Sequence, residues 1–593
     1  MNRSEAPPDS QGPLTLPGIG ASPGVAIGPA LVVGGSAPSF KRRHVASEDV
    51  EHEVQRFRAA VSDSQANLRG VRERASRAGG EIAILDAYML MLSDDVLVQA
   101  TEGNIRVDLK CAEWAVSSAV RVLAAHFEDM DDAYLRERGQ DLQFVGELII
   151  RTLRGGKDPA PFVKLDEPAV VVAHDLSPAD TAAMVNEPVL ALITEIGTRT
   201  SHTAIMARAL QIPAVLGVTE ATTRILPRDN VVVDGLRGLV LVRPSLQELE
   251  AANRRAERHA ALCLHLRDTF DLPAETADGV GIRLEANVEF VSEAAGAIAC
   301  GAMGIGLYRT EFLYINRTDL PGEDEQYEVY RSLVETVAPR PVTVRTFDIG
   351  GDKFVSSLAL PGELNPALGL RAVRLALSRP RVFRTQLAAM ARASAHGPLR
   401  IMIPMIGTLS ELRQVRELFD GVVRDIDDRG LPRAEHIPLG IMVEVPAAAI
   451  MLDRIAPEAD FLSLGTNDLI QYTLAADRAN RSLAYLASPF DPSVLRLIVN
   501  IAIVSTRLDT PLSICGEMAS DPLAAVFLVG AGLRSLSMDA GAIPRVKETL
   551  RRISLDEAED ATAECVDLDT AEAVEQLLAK RFAPRLYDIL QEG

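Results

Sequence analysis

The second half of the chain alternates short apolar segments with longer stretches of helical periodicity. Eight such segments follow residue 274, at 282–286, 303–307, 342–345, 400–404, 439–443, 461–464, 512–514 and 535–538. Strands that alternate with helices predict a parallel sheet, and eight of them within about 300 residues predict a closed (β/α)8 barrel. Because such a barrel carries its active site at the C-terminal ends of its strands, the residues that follow each segment are the first candidates for function.

Polar and charged side chains follow five of these strands. They are Arg309 after the second, Arg345 after the third, Glu444 after the fifth, Asn467 and Asp468 after the sixth with Arg478 further on, and Cys515 after the seventh. One such residue alone is more often part of a surface ion pair, and a lone cysteine is more often a small buried apolar side chain. Arginines, carboxylates, an amide and a thiol on one rim suit a small, multiply charged anion together with a divalent cation. The sequence therefore predicts an anion-binding active site at the barrel rim.

A second candidate site lies in the first half, where a glycine and several hydroxyl residues precede an apolar pattern with helical spacing at 197–210. Ser201 stands at the N-cap position, so His202 falls in the first turn of the predicted helix. The unpaired amides and the dipole there favour an anion and disfavour an imidazolium, which predicts a neutral, nucleophilic His202. Arg199 adds a planar donor for phosphate oxygens. A lone histidine after a loop is more often structural, but this combination favours one that accepts a phosphoryl group.

The rest of the first half combines an α/β pattern with a long helical insertion. A strand that enters the sheet is predicted at 16–33, and buried strands are predicted at 169–173, 189–193 and 230–234. Helices are predicted at 54–75, 81–97, 108–129 and 132–153, and a helical linker at 246–266. The sequence therefore predicts a multidomain α/β protein.

Composition excludes several classes of function. The formal net charge of -21 argues against nucleic acid as a partner and favours a basic protein partner. No signal peptide or membrane-length apolar run occurs, which predicts no membrane insertion. The five cysteines show neither pairing nor metal spacing, so we expect a reducing cytoplasmic compartment.

These segments resemble, one by one, motifs of the PEP-utilising phosphotransferases, a family that includes enzyme I of the PEP-dependent phosphotransferase system, PEP synthase and pyruvate phosphate dikinase. Thr-Ser-His-Thr followed by Ala-Ile-Met-Ala-Arg is similar to the phosphohistidine motif of the family. Gly-Leu-Tyr-Arg-Thr-Glu, Arg-Thr-Phe-Asp-Ile-Gly-Gly-Asp-Lys, Gly-Thr-Asn-Asp-Leu and Cys-Gly-Glu-Met resemble the PEP-binding barrel of enzyme I. The resemblance to enzyme I runs through nearly the whole chain from about Leu14, in the same order.

The resemblance implies Mg²⁺-dependent transfer of the phosphoryl group of PEP to His202, with release of pyruvate. A small histidine-containing phosphocarrier protein would then accept the group on a histidine of its own. This would be the first step of a PEP-dependent sugar phosphotransferase system.

The resemblance also assigns roles to single residues. Arg309, Arg345 and Arg478 would hold the phosphate and carboxylate of PEP, with help from Arg371. Asn467 and Asp468 would bind the phosphoryl group, and Glu444 and Asp468 would ligate Mg²⁺. Cys515 would protonate C3 of enolpyruvate, and Thr181 would lie against the phosphohistidine ring, whereas we interpret His174 as structural.

The domain order implied by the resemblance starts with a disordered tail. The domains are this tail at 1–13, the N-terminal strand of the phosphohistidine domain at 14–46, a helical carrier-binding subdomain at 47–155, the phosphohistidine α/β domain at 156–243, a helical linker at 244–272 and the PEP-binding barrel at 273–593. The barrel is also expected to form a homodimer.

Four positions depart from the enzyme I pattern. Tyr88 stands where histidine is frequent, Ala479 and Ser520 stand where glycine is usual, and Asp539 stands where serine is common.

Three alternatives compete with an enzyme of the sugar branch. A PEP synthase or pyruvate phosphate dikinase relative needs a large nucleotide-binding domain, and no region of the sequence is long enough for one. A catalytically silent scaffold conflicts with the intact His202, Cys515, Glu444 and Asp468. A regulatory phosphotransferase of the nitrogen branch stays open, although no sensory domain precedes the phosphotransferase segments.

Overall fold

The computed structural model describes residues 12–33, 40–77, 88–89, 91–92, 95–128, 133–154, 165, 167–176, 184, 187–197, 203–204, 207, 212–314, 319–350, 365–477, 483 and 486–590. Apart from the last two residues, the chain divides into two compact units, Met1–Ala261 and Leu262–Gln591.

The first unit contains an eight-stranded mixed sheet. Its strands are Leu14–Pro17 (β1), Ile19–Ser22 (β2), Val25–Val33 (β3), Ala169–Ala173 (β4), Val189–Thr194 (β5), Ala214–Leu216 (β6), Asn230–Asp234 (β7) and Leu239–Val242 (β8). Their order is β1-β8-β7-β3-β4-β5-β6-β2, with parallel pairing from β3 to β6. The single N-terminal strand expected at 16–33 is wrong, because three strands form there. Gly24 has a φ of 121°, a conformation that ends an extended strand and favours glycine.

The helical insertion lies between β3 and β4. Because these strands are parallel neighbours, the chain has to cross from one end of the sheet to the other, and the insertion is that crossover connection. Its helices are Val50–Arg77 (α1), Asp95–Arg106 (α2), Ala112–Glu128 (α3) and Ala133–Leu153 (α4).

Within the helix predicted at 81–97, the described residues 88–89, 91–92 and 95–97 are all helical. The last three of these begin α2, which continues to Arg106 and which the sequence did not predict. Leu97, Thr101 and Ile105 form one buried stripe at helical spacing. The polar threonine, together with Gly103 and Asn104, obscured this stripe in the sequence. Tyr88, one of the departures from the enzyme I pattern, is buried against Phe144 with ring centroids 5.0 Å apart, so it belongs to the core of the insertion.

The second unit is a closed barrel of eight parallel strands, as the sequence predicted. The strands are Arg283–Val288 (β9), Ile305–Tyr308 (β10), Val342–Arg345 (β11), Leu399–Ile403 (β12), Leu439–Val443 (β13), Leu462–Leu464 (β14), Leu512–Ile514 (β15) and Ser535–Asp539 (β16). Every strand begins and ends within two residues of its predicted bounds.

The remaining helices either come before the barrel in the chain or alternate with its strands and follow them. Two of them, Ala221–Arg224 (α5) and the linker helix Leu246–Asp268 (α6), come before the first barrel strand. The others are Val291–Ala299 (α7), Glu323–Val337 (α8), Ala372–Ser378 (α9), Pro380–Ala393 (α10), Leu409–Asp428 (α11), Pro446–Ile450 (α12), Leu452–Ile455 (α13), Thr466–Leu474 (α14), Pro492–Arg507 (α15), Pro522–Gly530 (α16), Ile543–Arg551 (α17), Leu555–Cys565 (α18) and Ala571–Leu590 (α19). Among the described helices, none combines the length and the apolar character needed to cross a membrane.

The barrel interior holds a charged pair among apolar side chains. Arg400 on β12 donates to Glu285 on β9 at 2.9 Å, and its guanidinium lies 5.7 Å from the centroid of the Phe461 ring. Glu285 is only 1% exposed, so Arg400 takes the place of water as the partner of this carboxylate.

Candidate active site

The barrel brings the predicted strand-end residues together at its C-terminal rim. Arg345 ends β11, whereas Arg309, Glu444 and Cys515 directly follow β10, β13 and β15. Arg345 interacts electrostatically with both Glu444 and Cys515, and Arg309 interacts with Cys515. The side chains from these strands therefore face one site.

Arg345 is almost completely buried and is held by two carboxylates. Its Nη2 donates to Glu311 Oε1 at 2.9 Å, and its Nη1 lies 3.6 Å from Asp348 Oδ2. Burial alone would lower the pKa of Arg345, but the nearby carboxylates of Glu311, Asp348 and Glu444 raise it above its usual value. This arginine is therefore a permanent cation in a fixed orientation.

Arg371 occupies the N-cap position of α9 and reaches across the rim. Its guanidinium makes three hydrogen bonds to the two oxygens of Asp348, at 2.8 to 3.1 Å. It also donates to Asp468 at 3.2 Å and to the hydroxyl of Tyr472 at 3.2 Å. Burial opposes its charge, but Asp348 and Asp468 raise the pKa of Arg371 above its ordinary range.

Two arginine nitrogens at the rim have no hydrogen-bond partner among the residues that the structure describes. They are the buried Nε atoms of Arg309 and Arg345. Arg309 uses its Nη1 to pair with Glu289 at 2.5 Å. Since an unpaired buried N–H is costly, these donors fit an anion that enters the rim.

Sequence reasoning assigned no role to the carboxylates that hold the arginines. Glu311 and Asp348 lie inside motifs already recognised, two residues after Arg309 and three after Arg345. The signal was available, because a buried arginine needs a carboxylate partner and these carboxylates directly follow the strand ends.

Glu444 and Asp468 form a pair of buried carboxylates that repel each other. Burial first, and then the charges of Asp468 and Asp348, raise the pKa of Glu444 to about 8. One oxygen of Glu444 accepts from the Met405 backbone N–H at 2.6 Å. A hard divalent cation bound by carboxylate oxygens would relieve this repulsion, so the donor set fits Mg²⁺. The described residues contain no group of three or more His, Cys, Asp and Glu side chains arranged around a metal position.

Asn467 and Asp468 lie in the first turn of α14, directly after β14. Asn467 Nδ2 donates to Glu517 Oε1 at 2.9 Å, and its Oδ1 accepts from the Glu517 backbone N–H at 3.0 Å. Glu517 follows Cys515 by two residues, so the pair joins the ends of β14 and β15.

Cys515 is 4% exposed and lies in a small apolar cluster with Leu307, Met402, Met442 and Phe461. Its Sγ donates to the Leu464 carbonyl at 3.6 Å. Burial raises the pKa of this thiol to about 11, so Cys515 keeps its proton at neutral pH. Asn287 on β9 also fixes this segment, since its Nδ2 donates to the Cys515 carbonyl at 3.0 Å.

The phosphohistidine candidate and several of its predicted neighbours lie outside the described residues. They are Thr181, Arg199, Ser201 and His202, and the same holds for Arg478 and Ala479 of the barrel. Directly after His202, Thr203 and Ala204 are helical and buried. Thr203 Oγ1 donates to the Leu176 carbonyl at 3.3 Å, which places Thr203 against the loop that follows β4.

His174, interpreted from the sequence as structural, lies in the same loop. Its Nδ1 lies 2.5 Å from Glu195 Oε2, and the other oxygen of Glu195 accepts from the Thr222 backbone N–H at 2.8 Å. These bonds join the ends of β4 and β5 to α5.

Comparisons with known proteins cover both units. A family model described as the PEP-binding domain of PEP-utilising enzymes matches residues 265–555. Models for the N-terminal domain and the mobile domain of these enzymes match residues 17–138 and 165–238. The phosphoenolpyruvate-protein phosphotransferases of Bacillus sp. (strain S) and Geobacillus stearothermophilus are each 41% identical to this chain over 571 residues, which cover 96% of this chain and 98% of the relative. The protein of the same name from Listeria innocua is 40% identical over 567 residues, or 95% of this chain and 99% of the relative.

The matched ranges contain both His202 and the rim residues from Arg309 to Cys515. Relatives at this identity extend over nearly the full length of the chain. The chain therefore belongs to the family of phosphoenolpyruvate-protein phosphotransferases and is an enzyme.

Proposed function

We propose that this enzyme transfers the phosphoryl group of PEP to its own His202, releases pyruvate, and passes the group to a histidine of a small phosphocarrier protein. This would be the first step of a PEP-dependent sugar phosphotransferase system. The observation that carries the proposal is the barrel rim, where three arginines, two repelling carboxylates and a protonated thiol face one site.

PEP carries a phosphate and a carboxylate, and the rim offers cations for both. Arg345 and Arg371 are fixed by Glu311 and Asp348, so little conformational entropy is lost when they bind an anion. The Nε donors of Arg309 and Arg345 would gain partners on binding. Arg478 would complete the set.

The charge balance of the described rim argues for a cation bound together with PEP. Three arginines face five carboxylates, those of Glu289, Glu311, Asp348, Glu444 and Asp468, and these carboxylates outnumber the arginines even when Glu444 is protonated at neutral pH. This excess of negative charge would repel a multiply charged anion. Glu444 and Asp468 would hold Mg²⁺, and the bound ion supplies charge neutralisation for the phosphoryl group. Asp468 would then bind the metal in place of Arg371. The Nη2 group of Arg371 that now donates to Asp468 would become available to PEP.

Cys515 would act on the carbon end of the substrate. When the phosphoryl group leaves, the enolate of pyruvate needs a proton on C3. The thiol of Cys515 keeps its proton at neutral pH, and Arg345 and Arg309 would stabilise the thiolate that remains. The apolar cluster around the sulfur keeps water away from this atom.

His202 would accept the phosphoryl group at the start of its helix, where amides and the dipole favour an anion. We further propose a homodimer formed through the barrel, which is supported by the exposed apolar side chains of Ile450 and Met451. A cytoplasmic location is supported by Cys111, Cys300, Cys515 and Cys565, all of which are free thiols.

Isotope exchange tests the barrel half of the proposal without the carrier. Purified enzyme with Mg²⁺ should exchange label between [¹⁴C]pyruvate and PEP, because each step up to phosphorylated His202 is reversible. Asp468→Ala should abolish the exchange, since it removes a ligand of the metal. An enzyme that bound Mg²⁺ and PEP but never exchanged pyruvate would contradict the proposal.

A further inference from the structure

The two hydrogen bonds between Asn467 and Glu517 determine which way the Asn467 amide points. A side-chain amide has one accepting oxygen and two donating hydrogens. If the amide were flipped, its oxygen would face a carboxylate oxygen and its NH₂ group would face a backbone N–H, so both bonds would be lost. Glu517 occupies one hydrogen of Nδ2, and the other points elsewhere.

Close packing makes the segments that carry these residues a single unit. A Cβ at Gly516 would lie only 1.8 Å from Thr466 Oγ1 and 2.8 Å from the Thr466 backbone nitrogen. Only glycine allows this approach of the chain after β15 to the chain after β14. The bond from the Glu517 backbone to Asn467 follows directly from this contact.

Glu517 is an exposed carboxylate at a rim that would bind an anion. Its charge alone would disfavour PEP, so electrostatics gives no reason for an acid here. The hydrogen bond to Asn467 does explain an acid here. A phosphoryl oxygen can be bound only by a donor, and the acceptor on Glu517 keeps the donating NH₂ group of Asn467 on its side of the amide.

We infer that Glu517 is a positioning residue, which orients the amide of Asn467 so that an Nδ2 hydrogen meets the phosphoryl group during transfer. The inference rests on the proposed function, in which Asn467 binds that group. A donor aimed at a group whose charge changes during transfer acts mainly in the transition state. Losing its orientation therefore lowers kcat more than it raises KM for PEP.

The experiment measures the maximal rate of His202 phosphorylation by labelled PEP and its dependence on PEP concentration. Glu517→Ala lowers the maximal rate at least about tenfold, whereas Asn467→Ala, which removes the donor itself, lowers it about 100-fold. The double variant is no more than about twofold slower than Asn467→Ala, because Glu517 acts through that amide. Glu517→Gln stays within about threefold of the unmodified enzyme, since its Oε1 accepts the same bond.

Asp539→Asn is the matched control for charge. Asp539 is an exposed carboxylate at the end of β16 whose side chain accepts from the Gly541 N–H, a bond that asparagine can keep. This variant keeps the maximal rate, whereas a pure charge effect would change Asp539→Asn and Glu517→Gln alike.

Two results would overturn the inference. One is a Glu517→Ala enzyme with the unmodified maximal rate, and the other is a Glu517→Gln enzyme as slow as Glu517→Ala. Because the Glu517 side chain is exposed, both variants should fold, and calorimetry checks this. If the unmodified enzyme takes no label from PEP, the proposed function fails instead, so the two failures are distinguishable.

Discussion

Cys515 is a buried thiol, and burial decides its protonation state. Its pKa is raised to about 11 because the apolar surroundings disfavour the thiolate. Between the ordinary thiol pKa and about 11, the thiol stays protonated in the folded state but ionises in the unfolded chain. The free energy of unfolding therefore falls as the pH rises through this range. Alkylation by iodoacetamide at pH 8, followed by peptide mapping, should be slow at Cys515 and accelerate as the pH approaches 11. Modification at pH 8 as fast as that of a free cysteine would show that the thiol is neither buried nor protonated.

The proposed roles of Cys515 and Glu444 predict different losses. Enolpyruvate released by Cys515→Ala can take a proton from water, so slow phosphorylation of the enzyme by PEP should persist. Removal of a methyl proton from pyruvate has no such bypass, so deuterium wash-in to that methyl group should almost disappear. Glu444→Ala should disable both reactions, because it removes charge stabilisation of the transferring group. A Cys515→Ala enzyme with the unmodified wash-in rate would assign the acid to another residue.

At the scale of elements, the pair of Glu285 and Arg400 ties β9 to β12 across the barrel interior. Arg400→Met leaves the almost fully buried Glu285 carboxylate uncompensated and should destabilise the barrel by about 3–5 kcal/mol. The control, Arg413→Met, removes the exposed pair with Glu458 and should leave stability nearly unchanged. The only tryptophan, Trp114, lies in the first unit, so calorimetry follows the barrel transition better than fluorescence. Equal free energies of unfolding for the two variants would contradict the predicted loss of stability in Arg400→Met.

The barrel strands could be predicted from the sequence because a parallel strand is buried on both faces, so each one is a short, nearly continuous apolar run. The helix α2 was missed because Thr101 interrupts its buried stripe in the sequence, although the side chain is fully buried in the structure. At the rim, the position at a strand end identified Arg345, and the motif resemblance added Arg371. The pairing of Arg371 with Asp348 and Asp468 could not be predicted, because these two carboxylates lie 23 and 97 residues away from it along the chain.

At the scale of the molecule, the helical insertion connects two strands of the sheet and is also the expected docking site of the carrier protein. As the crossover between the parallel strands β3 and β4 it is part of the fold, so removing it would also disturb the sheet. Four of its described carboxylates, Glu51, Glu53, Glu102 and Glu113, already pair with arginines of the same insertion. We expect the cluster of acids around the α3–α4 connection to steer the carrier, because four like charges stand close together in the sequence there.

A variant that keeps the helices separates these two roles. Replacing Glu128, Asp129, Asp131 and Asp132 by their amides should leave phosphorylation by PEP unchanged, since the chemistry lies elsewhere. Transfer to the carrier should become slower and less sensitive to salt, because the acids would steer a basic partner. Stopped-flow transfer rates at two salt concentrations measure this, and an unchanged salt dependence would exclude these acids as the docking charge.

In the proposed reaction, His202 accepts the phosphoryl group of PEP before the group passes to the carrier. Enzyme incubated with [³²P]PEP and Mg²⁺ should acquire a stable label at alkaline pH that is lost in acid, as phosphohistidine is. Peptide mapping should place this label on the peptide that contains His202, and His202→Ala should acquire none. Label retained by His202→Ala, or mapped to any other of the nine histidines, would contradict the account.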